Sequence, residues 1–167
     1  MLRKHVIPKP SQGPLPLEGE LSIADVATVE VSSEETDRPI DHAFDLSRGP
    51  GGSRWMASAP GEQSVTLVFD RPQTIRRIGI EVEELAVSRT QELSVSASSD
   101  GGRTYRELIR QEFNFSPPGT SFERELWSVS AGAVTHLRLE IKPDKGGHVG
   151  RGWWHLVPVW DPGQTAA

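Results

Sequence analysis

Apolar and polar positions alternate in short runs along most of the chain. Val65, Leu67 and Phe69 alternate with Ser64, Thr66, Val68 and Asp70, and Ile78, Ile80 and Val82 with Gly79, Glu81 and Glu83. Leu93, Val95 and Ala97 alternate with serines as far as Ser99-Asp100-Gly101-Gly102. A period of two sends successive side chains to opposite faces of a strand, so each run predicts a half-buried β-strand. Tyr105 to Phe115 predicts a fourth strand and Phe122 to Val129 a fifth; Leu137, Leu139 and Ile141 mark a sixth that stops at Pro143. The tail from Trp153 to Trp160 predicts a last strand, pairing back near a first one around Val29 and Val31. No segment carries a convincing 3.6-residue period, so the pattern predicts an all-β sandwich.

The punctuation between the runs predicts where recognition sits. Arg71-Pro72 ends one run, because proline has no N–H for a strand interior, and the glycines after Asp100 supply the positive φ of a tight turn. If successive strands run antiparallel, every second connection falls at the same end. The connections Arg71–Thr74, Ser99–Arg103 and Ser130–Ala133 are short; Phe44–Gly61, Glu84–Thr90, Asn114–Thr120 and Asp144–Arg151 are long. The long loops are therefore expected together at one end, where a rigid scaffold displays them for binding. Residues 1–20, with four prolines between Pro8 and Gly19, read as an extended arm, residues 21–161 as one domain and 162–167 as a tail.

Composition narrows the function classes. A net charge of −5 offers no basic stripe, which argues against non-specific nucleic-acid binding. With no cysteine there is neither a disulfide framework nor a thiolate metal site. The basic start Met1-Leu2-Arg3-Lys4 is not followed by the apolar core of a signal peptide, of roughly seven to fifteen residues, and no stretch is apolar enough for a membrane span. These features point to a cytoplasmic location.

A further set of residues carries a resemblance. Ala43-Phe44-Asp45 followed by Ser53-Arg54-Trp55 resembles an early signature of the discoidin, or coagulation-factor C-type, superfamily, although the glycine-rich turn between them is longer than usual. Val65–Pro72 with Ile75–Ile78, and Ser96–Tyr105 with its Ser-Asp-Gly turn, resemble later strands of that superfamily. The resemblance covers Leu21 to Trp160. It implies a galactose-binding-like jelly-roll β-sandwich of about eight antiparallel strands, a binding role and a buried Trp55. It also implies that Asp45 and Ser53 are the residues to hold a structural calcium, but the Trp153–Trp160 strand lacks the carboxylate that sugar-binding relatives supply from their last strand.

Other chemistry is weaker. The five histidines are scattered, without the convergent spacing of a zinc site. No G-x-S-x-G occurs, and Glu83-Glu84, like Glu34-Glu35, reads as solvated charge in a loop. Arg76, Arg77, Arg103, Arg106 and Arg110 are interleaved with acids and read as a mixed surface. The best ligand-binding candidates lie on two long loops: Asn114 and Phe115 on one, Asp144, Lys145 and His148 on the other. Aromatic faces with a few directed polar groups suit sugar or peptide recognition. The chain thus reads as a non-catalytic module for carbohydrate or glycan-like ligands, with a protein-protein interaction scaffold as the alternative. The three tryptophans of Trp153–Trp160 exceed what one strand face buries, which suggests self-association through that strand or packing against the proline-rich arm.

Overall fold

The structure, a computed structural model, describes residue 3, residues 21–45, 51–85, 88–119 and 121–142, and the backbone of Trp153–Trp160. A single helical turn, α1 (Ile23–Val26), leads into β1 (Ala27–Val31); a 3-10 turn at Ile40–Ala43 precedes β2 (Trp55–Met56). The remaining strands are β3 (Gln63–Glu83), β4 (Arg89–Ser98), β5 (Arg106–Phe115), β6 (Phe122–Ile141) and β7 (Trp153–Trp160). All pairings are antiparallel, in the order β2-β7-β3-β6-β4-β5, with β1 also on β3.

Two of the expected turns are absent. Arg71–Thr74 and Ser130–Ala133 lie inside β3 and β6, which pair from Gln63↔Ile141 to Glu83↔Phe122. The register shifts three times between Val68 and Arg77, so the ribbon bends there instead of ending. Pro72 falls between the paired residues Val68 and Gln73, where its missing N–H costs no bond to β6. Ala133, at φ 52°, takes up part of the bend on β6.

The bend makes two sheets from shared strands. The first half of β3 pairs with β1 and with residues 136–141 of β6, which continue to β4 and β5; the second half pairs with β7 and with residues 122–128 of β6. β7 therefore lies on β2 and β3 and not on β1 as expected, because β1 takes Val65–Phe69 of β3 and β7 takes the part beyond the bend. Inward residues of both halves form one core: Val65, Leu67 and Phe69 with Leu93, Val95 and Leu139, and Ile78, Ile80 and Val82. Burying each such side chain contributes about 1.5–3 kcal/mol. Trp55 is fully buried, its Nε1 donating to the Ser33 carbonyl at 2.9 Å.

The β4–β5 connection is the tight turn that its glycines predict. Gly101 and Gly102 sit at φ 77° and 86°. Asp100 closes the turn by accepting from the Ser98 and Thr104 hydroxyls and from the N–H groups of Arg103 and Thr104. These bonds hold its carboxyl well below the usual carboxylate range.

Candidate binding site

The registers show which connections share an end. Glu83 stands opposite both Phe122 and Trp153, Arg89 opposite Phe115, and Gln63 opposite Ile141. Glu84 N–H donates to the Ser121 carbonyl at 2.8 Å, and Lys142 N–H to the Glu92 carbonyl at 2.9 Å. Connections 57–62, 84–88, 116–121 and 142–152 thus all leave from, or return to, one end of the sandwich. The turn at Ser99–Arg103 and both strand bends lie at the other. The grouping expected from counting turns is the one seen, although two of the counted turns are bends.

Beneath the long loops lies a charged layer. Glu81 and Glu83 alternate with Ile80 and Val82 and so face away from the core, yet only 0% and 4% of their surface is exposed; Glu84 is equally covered, at 2%. This overturns the reading of Glu83-Glu84 as solvated. The segment before β2 folds over that face: Gly51 N–H donates to both Glu83 carboxylate oxygens, at 3.1 and 3.3 Å, and Arg54 Nη2 stands 3.8 Å from Glu81 Oε2. Arg124, across the ladder from Glu81, donates to Glu81 Oε1 from Nε and Nη2 at 2.9 and 2.7 Å. Burial lowers the pKa of the Arg54 guanidinium, against the pull of Glu83, Glu81 and Asp45. The Phe122 ring has Arg54 Cζ 5.8 Å and Arg124 Cζ 5.6 Å from its centroid, both within cation–π range. A second buried ion pair, Arg89 Nε to Glu84 Oε1 at 2.9 Å, closes the base of the 84–88 loop.

The residues proposed from sequence distribute unevenly over this end. Asn114 is exposed and accepts from the Thr90 hydroxyl at 2.7 Å. Phe115 is not a loop-surface ring: with 2% exposure it is core, as is Phe113 at 3%, their centroids 6.1 Å apart. Alternation along β5 turns both rings inward and Asn114 outward. Asp144, Lys145 and His148 lie outside the described residues, on the connection between β6 and β7, whose two ends are at this site. Arg124 and Phe122 were missed in the sequence because they sit in a strand of mixed polarity, and only pairing with β3 shows what they touch.

Asp45 and Ser53 do come together: the Ser53 hydroxyl donates to the Asp45 carboxylate. Asp45 lies in the electrostatic field of Arg54, residues 46–50 between the pair are outside the described residues, and among the described residues no group of three or more His, Cys, Asp or Glu is placed to hold a metal ion.

No family model and no curated protein matches the chain in sequence. Solved structures match its fold. CBM32-3 from a family 31 glycoside hydrolase of Clostridium perfringens superposes with a TM-score of 0.57 at 13% identity, covering 86% of this chain and 96% of that one. The CBM32 of AlyQ, in complex with 4,5-unsaturated mannuronic acid, gives 0.53 at 18% identity over 80% and 95% of the two chains. The N-terminal domain of the single-strand break repair protein XRCC1 gives 0.54 at 13% identity over 81% and 99%. The fold is a jelly-roll β-sandwich like theirs. At these identities the likeness establishes architecture, and that architecture is found in carbohydrate-binding modules and a repair protein alike.

Proposed function

We propose that the chain is a non-catalytic module that binds carbohydrate at the long-loop end. The observation that carries this reading is the half-exposed Phe122 ring beside the Arg124 guanidinium, fixed on a rigid ladder where the long loops converge. An aromatic face next to oriented donors is the chemistry that sugars use: the ring takes a sugar's C–H face and the guanidinium its hydroxyl or carboxylate oxygens. Asn114, Asp144, Lys145 and His148 are the loop residues proposed to complete it. Similarity to modules in complex with 4,5-unsaturated mannuronic acid and with galactose supports the same reading.

A glycan array on the full chain, followed by Arg124→Ala and Asn114→Ala variants, tests it. Binding to a defined glycan that weakens in both variants, each still folded at the assay temperature, supports the site. A chain that binds no glycan sinks the reading. A protein-interaction module is the second reading, favoured by the exposed Leu85 and Leu126, at 60% and 50%. A pull-down from the native host that yields a partner lost on Leu85→Ser and Leu126→Ser substitution, with no glycan bound, favours it.

A further inference from the structure

β6 changes neighbours at its bend. Residues 136–141 lie between β3 and β4, but residues 122–128 pair with β3 alone, so among the described residues no strand covers their other edge. Arg106 Nη2 donates to the Ser130 carbonyl at 3.0 Å and marks where that edge closes. The open stretch, residues 123–129, is as long as an ordinary strand. Its two faces differ. Glu123, Glu125 and Trp127 stand opposite Val82, Ile80 and Ile78, and directly opposed residues share a face, so all three point to the core side. They are half-buried, Trp127 against the core cluster. Arg124, Leu126 and Ser128 point outward and are exposed, Leu126 by 50%. Other covered acids of this domain have guanidinium partners: Glu81 has Arg124 and Arg54, and Glu84 has Arg89. Glu123 and Glu125 have neither an ion pair nor a hydrogen bond among the described residues. Two positions apart on one strand, their Cα atoms are about 6.6 Å from each other, so each carboxylate also feels the other. The edge strand β5 differs, because its charges neutralise one another, Arg110 holding Glu107 and Glu92.

We propose that the edge of β6 at residues 123–129 docks an extended basic segment of a partner protein, which joins the sheet as one more strand and seats alternate lysine or arginine side chains on Glu123 and Glu125. Main-chain hydrogen bonds to the open edge supply affinity, and the two carboxylates supply the choice of side chain. A cation beside Trp127 also meets the negative face of an indole. The intervening side chains of the incoming strand fall on the side of Leu126, so apolar residues suit them. A second copy of this chain fits less well. Pairing edge to edge would bring four unpartnered carboxylates to one seam, and inward-pointing charges are a means by which edge strands avoid pairing with themselves. A cationic glycan would satisfy the carboxylates but lacks the alternating N–H and C=O groups that the edge presents to a strand. The proposal goes beyond the carbohydrate reading and does not depend on it.

The test is an amide chemical-shift and hydrogen-exchange titration of the full chain with a peptide that alternates lysine and valine. Three comparison ligands accompany it: the same peptide with glutamate for lysine, the same peptide with every backbone nitrogen methylated, and a glucosamine oligomer. The lysine peptide is expected to shift the amides of residues 123–129 and to slow exchange at alternate ones. Its affinity should fall about tenfold in E123Q/E125Q and weaken with added salt. That variant removes charge from two groups that have no cation to lose, so it should melt no lower than the parent. The proposal is overturned if those amides stay still, if the glutamate or the methylated peptide moves them equally, or if E123Q/E125Q binds as the parent does. It is also overturned if the glucosamine oligomer moves them and the lysine peptide does not. Should E123Q/E125Q fail to fold, the glutamate and methylated peptides decide the matter on the parent chain. Any glycan affinity of the long-loop end should be the same in E123Q/E125Q as in the parent; a parallel loss would place both ligands on one site and overturn a separate edge.

Discussion

Arg124 and Glu81 face one another across the β6–β3 ladder, and a single fully buried carboxylate oxygen takes both hydrogen bonds from a guanidinium whose side chain is 58% exposed. The asymmetry of that pair decides which partner the fold misses more. Glu81 also neutralises the buried Arg54, whereas Arg124 can return its charge to water. Glu81→Gln is therefore expected to cost about 3 kcal/mol, by removing one of the carboxylates that offset the buried Arg54 alongside Glu83 and Asp45, and Arg124→Gln about 1 kcal/mol. Urea unfolding checks both; equal losses would show that Arg54 does not depend on Glu81.

The neighbours Asn114 and Phe115 are expected to separate binding from stability. Phe115→Ala removes a core ring and should cost about 3–5 kcal/mol, while Asn114→Ala should stay within about 0.5 kcal/mol. Melting temperatures distinguish them, and a Phe115→Ala chain as stable as the parent would return that ring to the surface.

At Gly102 two constraints coincide. Its φ of 86° is one that side-chain-bearing residues rarely adopt, and a Cβ there would meet the His136 ring at 3.2 Å and the Tyr105 hydroxyl at 3.4 Å. Gly102→Ala is expected to destabilise by about 1–3 kcal/mol. Gly101→Ala carries the backbone strain alone, since nothing lies within 4 Å of its Cβ, and should cost less.

Asp100 gives a pH signature. Its folded carboxyl lies below the unfolded value of about 3.9, so its stabilisation is present above that value and is lost as the pH falls through the folded one. Asp100→Asn should melt lower than the parent at neutral pH, and the gap should close as the pH drops below about 4. A gap that is constant with pH would mean that the turn needs the side chain's shape and not its charge.

Chelation should matter little. Because Asp45 and Ser53 bond each other beside Arg54, thermal melting in excess calcium and in EDTA is expected to give nearly the same midpoint; a fall of many degrees in EDTA would reveal a tight structural site.

The strands at Val65–Phe69, Ile78–Val82 and Leu93–Ala97 were legible because each buries one face, and alternation records that directly. Their continuity was not. Arg71-Pro72 reads as an end because the sequence does not show that the ladder lapses between Val68 and Gln73. Glu81 and Glu83 read as solvent-facing because alternation distinguishes two faces but not what covers the second; that cover comes from Gly51 and Arg54, some thirty residues away. Phe115 was legible as core had the period along β5 outweighed its nearness to a loop. The turn of α1, four residues long, is too short to leave a helical period.

Because β3 and β6 each belong to both sheets, neither sheet can peel away while the other stays whole. Pulling either strand out at the long-loop end unzips the same ladder that holds the opposite end together. Slow amide exchange should therefore report one protection level along both strands, on either side of the bend, with the two sheets opening in a single event.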